Sequence, residues 1–241
     1  MCYAMTRVHA PYSERMRDGY LLIDKPAGWT NHDVVAKVRN LTGIKKVGHG
    51  GTLDPMATGL LVIGLGSATK GLEQFVQGDK TYVAEVTLGA TTATDDAEGK
   101  VEPTTNSTEL AQSEIKAALK GFEGDIEQLP PVYSAIKTGG KKAYVEARQG
   151  RTVERKPRAV TIHGIELLEY AWPVLRIRVA VSKGTYIRAL ARDIGERLGT
   201  GAYLSGLRRE RVGELSVEDF HRIEEISKLS TDDLDALVQR Q

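Results

Sequence analysis

The sequence predicts an α+β fold, a mixed and largely antiparallel sheet flanked by helices. Strand-like and helix-like stretches are interspersed along the chain without the strict alternation of a parallel α/β sheet. Residues 80–88 show period-two alternation, with Tyr82, Ala84 and Val86 between polar neighbours, whereas residues 31–41 and 186–198 carry apolar residues at helical spacing. At 241 residues, 41% hydrophobic and 27% charged, the chain can hide on the order of 70–75% of its unfolded surface. One large domain is expected, and global disorder is not.

Taken in order, Tyr20-Leu-Leu-Ile-Asp24 reads as a short buried strand closed by the turn signal Lys25-Pro26-Ala27-Gly28. Thr30 or Asn31 caps a helix through Leu41, with Val34, Val35, Val38 and Leu41 on one face. A glycine-rich loop is expected over 43–55, then a buried strand over 60–65, a short helix over 69–76 and the strand at 80–88. Ser107 or Thr108 caps a helix reaching Phe122, with Leu110, Ile115 and Leu119 inward. A long irregular basic segment follows. Beyond it come adjacent strands over 158–170 and 174–181, and a helix over 186–198 that buries Ile187, Leu190, Ile194 and Leu198. The first 18 residues are polar and unpatterned, which predicts a flexible leader.

Several classes are set aside early. Cys2 is the single cysteine, so neither an internal disulfide nor a cysteine zinc site is expected, and no closely spaced histidines offer a metal site. The N-terminus has no apolar h-region, and nowhere do about 18 apolar residues run together as a membrane helix requires. A cytoplasmic protein without membrane attachment is expected. Gly64-Leu-Gly66-Ser-Ala-Thr-Lys-Gly71 has the placement of a nucleotide-binding loop but fails its spacing. A dinucleotide fingerprint needs its third glycine where Thr69 stands, and a P-loop needs Lys-Ser/Thr where Leu72 and Glu73 stand. A tight strand-to-helix turn accounts for it.

The net charge of +1 argues against a nucleic-acid partner, yet the charges are segregated. Residues 137–158 hold eight Lys/Arg against two Glu, and residues 183–211 seven against three acids. Residues 95–127 carry nine acids against three lysines, and residues 214–241 eight acids against three basic residues. Two basic stretches on an acidic body are the footprint of a phosphate-binding face, although many charge runs are only solvated surface.

The loop Gly48-His49-Gly50-Gly51-Thr52-Leu53-Asp54-Pro55 lets backbone approach a ligand closely, and Pro55 stiffens the exit beside the carboxylate. By composition alone it is more readily a turn whose aspartate caps the next segment. Residues 48–59, GHGGTLDPMATG, resemble the segment that carries the catalytic aspartate in TruB-type tRNA pseudouridine synthases. Other stretches agree in the same order. Leu22-Ile-Asp24-Lys25-Pro26-Ala-Gly28 matches the opening, and Lys80-Thr-Tyr82 resembles the segment with an active-site tyrosine. Pro130-Pro-Val-Tyr-Ser-Ala-Ile-Lys137 with Tyr144-Val-Glu-Ala-Arg148 resembles a thumb-like insertion, spanning about 129–158, that closes over RNA. Ser182-Lys-Gly-Thr-Tyr186-Ile-Arg188 is similar to the segment with an active-site tyrosine and arginine, and Leu207-Arg208-Arg209 to the element whose leucine packs near the target base.

The resemblance implies the pseudouridine synthase catalytic fold over residues 19–215 and conversion of the T-loop uridine of tRNA, position 55, to pseudouridine. It also implies that no cofactor or metal is needed, because C5 of uracil is itself nucleophilic. Asp54 is then the catalytic carboxylate, as a nucleophile toward sugar or base or as a base toward C2′. Arg188 would hold it ionised, Tyr82 would stack on the flipped uracil, and His49 would fill the gap the base leaves. Tyr186 and Leu207 would complete the uridine site. Lys137, Lys141, Lys142, Arg148, Arg151 and Arg208 are the leading RNA-backbone contacts, with Arg155, Lys156 and Arg158 in the same basic set. The expected partner is the tRNA T-stem-loop, bound by a monomer. Two other readings share some of these features: an RNA-binding module without activity has no use for Asp54, and a nucleosidase or glycosidase lacks its usual second carboxylate here. Many bacterial members carry a small RNA-binding domain of the PUA type after the catalytic domain. Only 26 residues follow Leu215, fewer than the roughly 40 a domain needs, so an acidic tail with short helices over 217–229 and 232–239 is expected instead of a full PUA domain.

Overall fold

The computed structural model describes residues 17–105, 108–133, 137–138, 141–142, 155–216 and 220–239. From the N-terminus, the elements are β1 (Gly19–Lys25), α1 (Asn31–Thr42), β2 (Val47–His49), β3 (Thr58–Leu65), a 3-10 turn (Gly66–Gly71), α2 (Glu73–Gln77), β4 (Lys80–Leu88), β5 (Ala90–Thr92) and β6 (Val101–Pro103). There follow α3 (Gln112–Lys120), β7 (Gly124–Gln128), β8 (Lys137–Thr138), β9 (Lys141–Lys142), β10 (Arg158–Ala171), β11 (Val174–Val181), α4 (Ile187–Leu198) and β12 (Ala202–Val212). The chain closes with β13 (His221–Arg222), α5 (Ile223–Ile226) and α6 (Thr231–Ala236). Two compact units emerge, one from residues 1–77 with 215–241 and one from residues 78–214. Among the described residues, no helix is long and apolar enough to cross a membrane.

In the first unit, β3 pairs antiparallel with β1 from Gly19↔Leu65 to Lys25↔Gly59, and β13 adds to β1 in parallel. Strand β3 is buried along nearly all of its length, as its unbroken apolar run predicts. Helix α1 starts where the cap signal places it. Thr30 accepts from the Asp33 amide at 3.1 Å, while the Asp33 carboxylate accepts from the Thr30 amide at 2.8 Å, a reciprocal capping box. Gly43, at φ 69°, ends the helix in the left-handed conformation that glycine tolerates. Val34, Val35 and Val38 face Leu21, Ile23, Leu61 and Ile63 in one core.

That core is completed from the other end of the sequence. Ile223, Ile226, Leu234 and Val238 pack into it, and burial of such a side chain contributes about 1.5–3 kcal/mol. Gln239 exchanges backbone hydrogen bonds with Tyr20, both 2.8 Å, and Asp235 accepts from the backbone and side chain of Arg17, each 2.9 Å. The two helices here are shorter than the expected 217–229 and 232–239, because the chain enters through β13 and Ser230 caps a fresh helix by accepting from the Asp233 amide at 3.2 Å.

The second unit is an antiparallel ladder in the order β12, β4, β11, β10, β7. Residues 80, 82, 84, 86 and 88 of β4 are buried, the alternation visible in the sequence, and Val83 between them is buried as well. The β10–β11 pairing agrees with the two adjacent strands expected there. Two members of the ladder carry no comparable pattern. Strand β7 is Gly-Asp-Ile-Glu-Gln with one apolar residue, and β12 holds Gly206 and four charged residues. Its register against β4 shifts between Leu204 and Gly206 and again between Arg209 and Arg211, so a period of two does not persist. Helix α3 starts at Gln112, later than a cap at residue 107 or 108 requires. Leu110 instead donates its amide to the Tyr170 hydroxyl at 3.1 Å, and Ala111 donates to Glu114 at 2.8 Å. Leu110 is only partly buried, whereas Ile115 and Leu119 are in the core.

Helix α4 buries Ile187, Leu190 and Ile194, and it presents Gly195 to the backbone that leads into β12. A Cβ at position 195 would lie 2.2 Å from the Ala202 nitrogen, a contact backbone cannot relieve by rotation. Gly195→Ala is therefore expected to destabilise the protein by about 1–3 kcal/mol despite alanine's better helix propensity. Urea unfolding monitored by circular dichroism reads the difference, and an unchanged or raised midpoint would contradict it.

Candidate active site

The segment that carries Asp54 is built on a short ladder, where a plain loop was expected over 43–55. Strand β2 pairs with β3 through Val47↔Leu65, Gly48↔Gly64 and His49↔Ile63, and the Gly50 amide extends the pairing to the Val62 carbonyl at 2.8 Å. Glycine hid this strand from the sequence pattern, yet the glycines are what packing requires. A Cβ on Gly48, Gly50 or Gly64 would lie 3.0–3.2 Å from Leu72 or Phe75. His49 thus ends a strand and is half-buried. Gly51, at φ 108°, then turns the chain toward Asp54, a conformation closed to ordinary side chains.

Both neighbours of Asp54 are gripped by side chains from the start of the chain. Asn31, 8% exposed, donates its amide to the Leu53 carbonyl at 2.7 Å and accepts from the Leu53 N–H at 3.1 Å. On the other side, the fully buried ammonium of Lys25 donates to the carbonyls of Pro26 (3.0 Å), Trp29 (2.6 Å) and Pro55 (3.1 Å). Gly28 adds an amide to the Pro55 carbonyl at 2.9 Å, and the Asp54 carbonyl accepts from Ala57 at 3.0 Å. Asp54 itself is half-buried. The result is a carboxylate on backbone that is tied at each flanking residue. Nothing in the spacing of Lys25 or Asn31 marked them for this.

In the second unit, Tyr82 sits in β4 opposite Val179 of β11 and Arg209 of β12 and is 9% exposed. Leu207 lies opposite Ala84, and Arg208 opposite Val83, both partly buried. Tyr186 stands at the start of α4, where Gln128 holds its backbone from both sides. The Tyr186 amide donates to Oε1 at 2.8 Å, and Nε2 donates to the Tyr186 carbonyl at 3.1 Å. Gln128 is 1% exposed and was not among the expected site residues. Within its own unit, Arg188 pairs with a carboxylate the sequence did not point to, Asp96, at 3.2 Å, and donates to the carbonyls of Thr94 and Tyr133. One helical turn on, Arg192 pairs with Asp95 at 3.0 Å and donates to Leu129 O at 2.9 Å. Burial pushes the Asp95 carboxyl upward, against the pull of Arg192, Arg188 and Arg155.

These pairs redraw the basic stretch at 183–211. Arg188 and Arg192 neutralise Asp95 and Asp96 from the acidic stretch, and Arg209 is 1% exposed, leaving Lys183 and Arg211 among its exposed cations. Of the other stretch, Lys137, Lys141 and Lys142 contribute backbone to the β8–β9 pair, and Arg155 donates to the Pro130 carbonyl at 3.0 Å. Arg148 and Arg151 lie outside the described residues. The turn at 66–71 holds an anion of its own, since Asp18 accepts from the Ser67 amide at 2.8 Å, in keeping with the failed nucleotide-loop spacing.

Lys80, which opens the strand of Tyr82, is 8% exposed. Burial draws its ammonium down to about 8, assisted by Arg209 and Lys183 and opposed by Asp79. The folded value lies below the ordinary 10.5, so between the two the unfolded chain keeps a proton that the folded chain has released. Stability from this group therefore rises with pH across that window. Relative to Lys80→Met, the parent is expected to gain on the order of 2–3 kcal/mol between pH 7.5 and 10.5 in urea titrations, and a pH-independent difference would refute the shift.

Two family models match consecutive parts of the chain. The TruB family pseudouridylate synthase (N terminal domain) model covers residues 39–187, and the tRNA pseudouridylate synthase B C-terminal domain model covers residues 188–239. The tRNA pseudouridine synthase B of Leifsonia xyli is 50% identical over 213 residues, which is 85% of this chain and 70% of that protein. That of Geobacillus thermodenitrificans is 49% identical over 229 residues, 92% of this chain and 76% of that protein. Among solved structures, a Cbf5-Nop10-Gar1 complex matches with a TM-score of 0.72 at 29% identity, and the archaeal box H/ACA sRNP Nop10-Cbf5 complex with 0.70 at 27%. These alignments cover 96% and 95% of this chain and 62% of each solved chain.

Proposed function

Because the chain belongs to the TruB family of pseudouridylate synthases, we propose that it isomerises the T-loop uridine of tRNA, position 55, to pseudouridine with Asp54 as the working carboxylate. The observation that carries this reading is the placement of Asp54, on the family's aspartate segment and on backbone held at Leu53 and Pro55. In the reaction the N1–C1′ bond breaks, the uracil turns within the site, C5 bonds to C1′, and the C5 proton leaves while N1 takes one up, so that product and substrate are isomers. Asp54 either forms a transient covalent bond or removes a proton from C2′, and both routes need an ionised carboxylate at a fixed position.

The stacked uridine must first leave the T-loop, at a cost of a few kcal/mol. His49 is the side chain to occupy the vacated place. Tyr82 supplies the stacking surface for the flipped uracil. By the family resemblance, Tyr186 and Leu207 border the base and Arg188 is the arginine of the uridine site. Cations of the 137–158 stretch, with Arg208, contact the RNA backbone. Replacing Lys141 and Lys142 by Ala is expected to lower the slope of log affinity against log salt by up to about 1 per lost contact, and an unchanged slope would place both away from phosphate.

Asp54→Asn keeps the size of the side chain and removes the charge. Pseudouridine formation in a single turnover with enzyme in excess is expected to vanish, while tRNA affinity stays within a few-fold because phosphate contacts dominate binding. Normal product from a folded Asp54→Asn protein would overturn this function. Release of free uracil by the parent would instead indicate a nucleosidase, and binding without either product an RNA-binding module.

A further inference from the structure

We infer that Asn31 is a positioning residue for the reaction, acting through the backbone of Leu53 to set the place and direction of Asp54. This rests on the reading of Asp54 as the working carboxylate and adds a residue to it. Asn31 opens α1, where an exposed polar residue satisfies the helix start equally well, and Thr30 already supplies the cap with Asp33. Yet Asn31 is buried at 8% exposure, with its carboxamide turned to a residue 22 positions away. It forms both an accepted and a donated hydrogen bond with one residue, Leu53, as a neighbouring strand would. Leu53 is 4% exposed, so its backbone N–H and carbonyl have little water to turn to.

The chemistry of the clamp selects the side chain. A carboxamide presents a donor and an acceptor at one fixed spacing, whereas serine has a single short oxygen and a carboxylate only acceptors. With Asn31 in place, rotation about the bonds flanking Leu53 would break one or both bonds, so the peptide entering Asp54 has one orientation. Lys25 restrains the peptide leaving it. Losing the clamp frees that peptide by a fraction of an ångström while the folded core and the RNA-binding surface are untouched. The rate should therefore suffer and tRNA affinity should not.

The test uses the full chain with Asn31→Asp, Asn31→Ser and Asp54→Asn. For each, the single-turnover rate of pseudouridine formation, the tRNA Kd and the melting temperature are measured at pH 7.5. Asn31→Asp, which keeps shape but sets an acceptor against the Leu53 carbonyl, is expected to lower the rate by about tenfold to a hundredfold with Kd within about threefold. Asn31→Ser, retaining one bond, is expected to fall between it and the parent. If Asn31→Asp does not fold, Asn31→Ser decides: a rate within about twofold of the parent, or a Kd that weakens as much as the rate falls, overturns the inference. An inactive Asp54→Asn beside fully active Asn31 variants removes only the role of Asn31, whereas an active Asp54→Asn removes the reading beneath it.

Discussion

A buried ammonium that gathers three backbone carbonyls is the constraint around which the first unit is organised. Lys25 ends β1, is fully buried, and directs its three N–H donors at the carbonyls of Pro26, Trp29 and Pro55. Removing such a charge from water costs several kcal/mol, roughly, and only well-placed acceptors offset it. The three carbonyls therefore cannot drift apart without weakening the hold on that charge. The β1 terminus, the turn before α1 and the exit of the Asp54 segment are consequently one assembly. Asn31 extends that assembly by one residue on the other side of the carboxylate, so a rigid strand and a rigid helix start both bear on a stretch that has no regular structure of its own.

What the sequence made legible divides along physical lines. Elements whose side chains face one core with a regular period were readable: β1, β3, β4, β10 and β11 as strands, and α1 and α4 as helices that bury the expected residues except Leu41 and Leu198, which are only partly buried. Elements shaped by irregularity were not. The bulged register of β12 scrambles its alternation, β7 has one apolar residue, and three-residue β2 centres on Gly48 because Leu72 crowds the space a side chain would take. In the site, the aspartate segment was legible through its resemblance to a family. The residues that orient it were silent, because Asn31 to Leu53 and Gln128 to Tyr186 are long-range polar contacts that leave no period behind.

Charge shows the same limit from another side. Counting residues 183–211 as a basic stretch overstates what faces solvent, since Arg188 and Arg192 meet Asp96 and Asp95 inside the fold. The two arginines are one helical turn apart and grip adjacent aspartates, and both also hold carbonyls of residues 129–133, at the base of the 129–158 stretch. A linear charge plot places opposite charges in separate blocks when the fold in fact cancels them against each other. Exposure, not composition, decides which cations are available to a phosphate backbone.

The glycines opposite Leu72 and Phe75 carry a consequence for how this protein can change. Gly48, Gly50 and Gly64 each sit at the contact limit of one or both of those side chains, so the volumes at these positions form a single shared quantity. A methyl group gained on the strand side has to be matched by carbon lost on the other. Substitutions there are interdependent: Gly64→Ala harms a chain that keeps Leu72, and becomes tolerable in one where that leucine has shortened. The two strands beneath the Asp54 segment and the turn that follows them can vary only as a set.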